Sequence, residues 1–320
     1  MRDGSLKLDI VRSSIGVRAR KWFKESLSQW QLFIMVLLPV TALIIFSYTP
    51  MLFLIVAFKD YSVRLGPFHS PWVGWKYFRQ LFGNPLFTQI LRNTLAIGLY
   101  GYIANMIFAL LLAFSIHSLS RTFFKKSAQM ITYAPYFLST VVVVGIILQL
   151  LDTNVGQVNI FRKLLGKEPV HFMGKPELFS SIVVWSGVWQ TTGYTAVIYL
   201  AALSGVDPSL HEAARVDGAT RLQRLIHIDF PGIASTVATM LILHSPTIIK
   251  VGYQKVYLLQ NNLNMSRSQI LSTYIYEQGV QMGNYSLATV ADLFNSVLSL
   301  CFVLAANILA KRASAESSLF

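Results

Sequence analysis

Three ionisable side chains, His244, Lys250 and Asp292, interrupt long runs that otherwise carry almost no charge. A charge near the middle of a bilayer costs about 3 kcal/mol on insertion scales, so such residues mark a route for ions or polar cargo before they mark a place to make bonds. Lys250 and Asp292 fall at similar depths in two of the runs, where they either pair across the segments or reach separately to the interface. His244 reads as a hydrogen-bonded interior residue, and Pro246 beside it removes a backbone bond and kinks its segment. Asn105, Gln149, Trp185, Trp189, Gln190, Tyr194 and Asn295 supply amides and rings, which suit a pathway wall for cargo that presents hydroxyls and apolar CH faces. Trp and Tyr near segment ends serve equally well as interfacial anchors. Bond-making chemistry has no foothold: the chain holds no GxxxxGK[ST] loop for phosphates, no HExxH, no GxSxG, and no grouping of His and carboxylates at metal-ligand spacing.

The elements that must carry these residues are set by lipid. Of 320 residues, 54% are hydrophobic and 13% charged, a balance that leaves too little polar surface for a water-soluble domain of this length. Six apolar runs, near residues 32–58, 91–117, 129–151, 179–203, 232–258 and 287–310, reach the roughly 20 residues that a helix needs to cross a hydrocarbon core. They lack the two-residue alternation of barrel strands, so the expected fold is an all-α polytopic membrane protein with six transmembrane helices. The net charge of +13 does not point to nucleic acid, because the basic residues gather at the ends of the runs. An inside amino terminus places the tail of residues 1–31, Arg121, Lys125, Lys126, Arg215, Arg221, Arg224 and the tail of residues 311–320 on the cytoplasmic side, where cations then outnumber those outside. The span domain is thus 32–310, and the outer connections are long enough to hold short structured pieces. The lone cysteine, Cys301, lies inside an apolar run and excludes an intrachain disulfide.

The longest cytoplasmic connection, GVDPSLHEAARVDGATRLQRLIHIDFPG within residues 205–232, carries its own folding instructions. Asp207 caps a helix that has Pro208 in its first turn, and Gly218 ends that helix in the left-handed conformation. Thr220 and Gln223 form a capping box for a second short helix, which Pro231 is expected to stop before the fifth span. The result is a knob of two helices at the membrane surface.

Glu212, Ala213 and Ala214, then Gly218, then Ile228 and Pro231, resemble the EAA motif of binding-protein-dependent ABC importer permeases, with Phe230 where that family usually has Leu. AFKDY at 57–61, WVGWKYF at 72–78, VGYQKVYLLQN at 251–261 and STYIY at 272–276 are similar to its oligosaccharide and polysaccharide permeases, including those for an acidic chain such as alginate. The resemblance implies a type I ABC importer permease fold in the cytoplasmic (inner) membrane, with the loop 205–231 as a coupling helix. Glu212, Ala213, Ala214, Asp217, Gly218 and Ala219 would then dock on a cytosolic ATPase. It further implies two ATP-binding subunits that hold ATP and magnesium, a second permease subunit forming a heterodimer, and an extracytoplasmic solute-binding protein. This chain itself would bind no cofactor, transport a sugar chain by alternating access, and catalyse nothing. An ion-coupled secondary transporter, built on Asp292 and broken helices, is the alternative; a membrane scaffold or enzyme is a further one.

Overall fold

The computed structural model describes residues 30–313, so most of the amino-terminal tail and residues 314–320 lie outside the described residues. Among the described residues the chain is helical throughout, apart from one antiparallel bridge between Lys59 and Trp72. It divides into two units, Met1–Val56 with Ser62–Ser70, and Ala57–Tyr61 with Pro71–Phe320. In the first unit, helix α1 (Trp30–Phe58) runs as far as Val56; it is apolar on every side, as a helix surrounded by lipid must be. It passes through a π-turn at Ile44–Tyr48, where Thr49 Oγ1 donates to the Ile44 carbonyl at 3.0 Å, and tightens to 3-10 geometry from Leu52.

In the second unit, α2 (Lys76–Phe82) precedes α3 (Phe87–His117), a 31-residue helix that packs along α7 (Pro176–Leu203). The stretch Ala57–Tyr61 is fastened here: Asp60 accepts from Lys76 Nζ at 2.9 Å and Tyr77 Oη at 2.5 Å, contacts that hold its carboxyl below the usual carboxylate range. Ser286 Oγ accepts from the Tyr61 amide and donates to the Lys59 carbonyl, tying the same stretch to α13 (Tyr285–Ala313). α1, α3 and α13 are long and apolar enough to span a membrane. α7 is equally long but carries Ser, Gln, Thr, Gly and Tyr along its middle, and ten of its side chains are buried. A helix shielded from lipid by its neighbours need not be apolar all round.

The third and fifth spans differ from the continuous helices expected over 129–151 and 232–258. The third is α4 (Thr122–Tyr133) with a 3-10 turn Ala134–Phe137, then a 99° bend into α5 (Thr140–Leu150). Pro135 lacks the amide that would continue α4, and Ser139 caps α5 by accepting from the Val142 amide at 3.3 Å. The fifth begins as α10 (Ala234–His244), becomes a 3-10 turn at Ser245–Ile248, and leaves Lys250 in a bend before the separate helix α11 (Tyr253–Leu259). The kink expected at Pro246 is therefore a complete end to the α-helix. The connections after the third and fifth spans hold short helices as expected, α6 (Gln157–Leu164) and α12 (Leu271–Tyr276), whereas α11 occupies residues that were expected to continue the fifth span.

Both breaks press against backbone. A Cβ on Gly98 of α3 would lie 1.8 Å from the Ile248 carbonyl oxygen, and one on Gly193 of α7 would lie 2.0 Å from that of Thr132. Gly98→Ala should therefore destabilise the protein by about 1–3 kcal/mol through forced backbone movement. Gly145→Ala, whose Cβ meets open space, should not. Thermal unfolding of the detergent-solubilised variants separates the two, and equal stability would contradict the backbone contact.

Candidate functional site

Residues 205–232 fold into the anticipated knob. Asp207 accepts from the Ser209 amide at 2.9 Å at the start of α8 (Pro208–Val216), and Gly218 takes φ +76°, the left-handed turn that lets the chain reverse. Thr220 and Gln223 complete both halves of the capping box, with the Gln223 side chain accepting from the Thr220 amide at 2.8 Å. One expectation fails: Pro231 does not stop the second helix. α9 runs Arg221–Gly232 through a π-turn at Leu225–Asp229, whose wider register absorbs the missing proline amide, and the chain bends by 59° only after Gly232. Ala214, Asp217, Gly218 and Ala219 line a groove of about 350 Å³ together with Gln223, Arg224 and His227. Glu212 and Ala213 stand exposed on α8 beside it.

A second concavity, of about 770 Å³, lies between α3, α7 and the broken end of the fifth span. Four expected pathway residues line it, Asn105, Gln190, Tyr194 and Lys250, and His244 joins them. Gln149, Trp185, Trp189, Asp292 and Asn295 do not line it. Trp185 packs edge-on against Phe108 at 5.1 Å, and Asn295 is buried on α13 with its Oδ1 unbonded. Asp292 is exposed on α13 and makes no ion pair with Lys250. Sequence reading missed Lys255, Tyr136, Thr191 and Tyr253, which also line the cavity. Lys255 and Tyr253 lay in plain view within VGYQKVYLLQN, but treating that segment as a transmembrane continuation hid their approach to α7.

The wall has three kinds of surface. Tyr136 and Tyr194 stack face to face, with centroids 4.0 Å apart and planes 4° from parallel. Asn105 donates to Thr191 Oγ1 at 2.8 Å, and Gln190 donates to the Leu138 carbonyl at 3.1 Å, the group set free by the bend in the third span. The cations are Lys250, exposed, and Lys255, half-buried near Gly187, and no carboxylate lines the cavity among the described residues. Such a surface offers stacking for CH faces, amides for hydroxyls and attraction for anions.

Residues 105–315 match the family described as binding-protein-dependent transport system inner membrane component. The chain belongs to this family. It is 37% identical to Protein LplB of Bacillus subtilis (strain 168) over 277 residues, covering 85% of this chain and 86% of that protein. It is 35% identical over 290 residues to the polygalacturonan/rhamnogalacturonan transport system permease protein YteP of the same organism, covering 91% and 90%. Among solved structures it is similar to a bacterial ABC transporter involved in the import of the acidic polysaccharide alginate. That likeness has a TM-score of 0.85 and 33% identity, covering 92% of this chain and 99% of the other. The family and its fold are thus those that the EAA-type loop implied, and the ion-coupled transporter is not favoured.

The knob's stiffness rests on its caps, which gives a test. Hydrogen bonds from Ser209 hold the Asp207 carboxyl below the usual carboxylate range. A carboxyl with a depressed folded value contributes fully above its ordinary value and loses that contribution as pH falls through the lowered one. Amide hydrogen exchange over 208–216 should therefore quicken in Asp207→Ala at neutral pH, and in the unaltered protein only below about pH 4 after correction for intrinsic rates. Unchanged exchange in Asp207→Ala would show that the cap does not hold the helix.

Proposed function

We propose that this chain is one of two membrane-spanning subunits of an ATP-driven importer, and that its cavity is half of the path taken by an oligo- or polysaccharide bearing carboxylates. The observation that carries this reading is the cavity wall: two lysines, a tyrosine stack and side-chain amides, with no carboxylate among the described lining residues. A neutral sugar needs only the rings and amides. Lys255, half withdrawn from water, is expensive unless a passing anion compensates it, and the exposed Lys250 adds to the attraction, so their presence fits a polyuronide. The acidic cargoes named for the YteP and alginate-import relatives agree with this chemistry.

The chain supplies movement and shape, and nucleotide chemistry belongs to partners. Two ATPase subunits, holding ATP and magnesium, seat against the knob through Glu212, Ala213, Ala214, Asp217, Gly218 and Ala219. A second, non-identical permease completes the path, and an extracytoplasmic binding protein delivers the sugar chain. The knob and both termini then face the cytoplasm across the inner membrane. Closure of the ATPase pair displaces the knob, the spans rotate, and the cavity opens to the opposite side; hydrolysis resets it.

The assembled transporter in proteoliposomes, with its binding protein, should show ATP hydrolysis stimulated by oligouronides and not by neutral oligosaccharides of equal length. Lys255→Met should raise the KM for the acidic chain about tenfold, the loss of roughly 1.4 kcal/mol of attraction. Equal stimulation by neutral and acidic chains would remove the uronide assignment. Gly218→Leu, strained at φ +76°, should abolish uptake while the chain remains in the membrane. Normal uptake by that variant would remove the knob from the mechanism.

A further inference from the structure

The knob would transmit little force if it were joined to the spans only by its two chain connections. Asp229 offers a third attachment. It sits in the π-turn of α9 with 7% of its surface exposed, beside an apolar floor that includes Leu203, Ile233, Val206 and Leu225. A buried carboxylate is costly unless a cation answers it. His211 Nε2, on α8 immediately before Glu212, lies 3.1 Å from Asp229 Oδ1. The two side chains meet in a close polar contact, without an aligned hydrogen bond at that oxygen, and the contact joins α8 to the π-turn of α9. His117, the last residue of α3, is within electrostatic reach of Asp229, His211 and Lys125, and its own Nδ1 is buried without a partner.

Three elements meet at this carboxylate: the helix of the knob that carries the exposed Glu212, the end of the second span, and the root of the fifth. The fifth span is also the one whose broken outer end brings His244 and Lys250 to the cavity. We infer that Asp229, held by His211 and flanked by His117, is a latch that passes displacement of α8 to the fifth span and so to the cavity wall. This rests on the knob being the ATPase contact. Asp229 and His211 are positioning residues: they touch neither sugar nor nucleotide, and without their attraction α8 moves while the fifth span lags. Truncating one partner of a buried pair leaves the other uncompensated, so either single change is sufficient to release the latch.

The test uses the full transporter with its ATPase subunits, in vesicles, and needs no knowledge of the sugar. Cys301→Ser removes the natural thiol, and Thr247→Cys places a reporter on the cavity wall. Its rate of maleimide labelling should differ about fivefold or more between the resting and vanadate-trapped states, as a coupling of ordinary size requires. With Asp229→Asn or His211→Gln added, that nucleotide response should collapse while the ATPase subunits stay bound, and Asp229→Asn, which leaves no buried carboxylate unanswered, should keep Tm within the range of the parent. A full response in either variant overturns the latch. Failure of the parent transporter to retain any ATPase subunit would instead overturn the coupling role of the knob itself.

Discussion

Inside hydrocarbon every backbone amide and carbonyl must find its partner within the protein, and that constraint decides where this chain can depart from regular helix. Several departures are answered by a side chain on a different element. The bend after Phe137 leaves the Leu138 carbonyl to Gln190 of α7, and the Tyr102 hydroxyl donates to the Leu241 carbonyl near the end of α10. The segment between α11 and α12 is held the same way, with Asn93 donating to the carbonyls of Ser266 and Gln269, and Thr94 accepting from the Leu271 amide. These amides and hydroxyls are the stitches that make broken spans possible, and the broken spans are what open a polar cavity beside α7.

That same constraint separates what the residues announced from what they concealed. The knob was legible because capping is local: Asp207 with Pro208, Gly218, and Thr220 with Gln223 each act within a few residues of themselves, and each stands as expected. The uninterrupted spans were legible because lipid demands an apolar run of known length. The bends were not, since a helix end inside the membrane depends on an acceptor or donor far along the chain, and Gln190 gives no sign of serving Leu138, fifty-two positions away. For the same reason only Asn105, Gln190, Tyr194 and Lys250 of the expected pathway residues line the cavity. Gln190 lines the cavity but has its amide committed to the backbone, while Gln149 and Asp292 have pathway chemistry and the wrong address. Pro231 misled in a different way, because a π-turn just before it lets the helix pass.

Ionisable groups serve contrasting ends at the cavity and beside the knob. At the cavity charge is unbalanced: cations without carboxylates, a surface that attracts and holds nothing of its own. Beside the knob Asp229 lies in close contact with His211, over an apolar cluster that includes Phe114 and Tyr199. The first arrangement suits a passenger that arrives and leaves; the second suits a joint that must not slip.

The stacked pair Tyr136 and Tyr194 adds a property of its own. Each ring already has an aromatic companion, so a sugar that wants one of those faces must first displace it, giving up about 0.5–1.5 kcal/mol of ring–ring attraction. Tyr136 belongs to the short turn between α4 and α5, whereas Tyr194 is fixed on the central helix. On the proposed path, cargo would meet a rival that is tethered and always present. A surface that re-stacks on itself sheds its guest, and a conduit profits from such forgetfulness where a receptor would suffer from it.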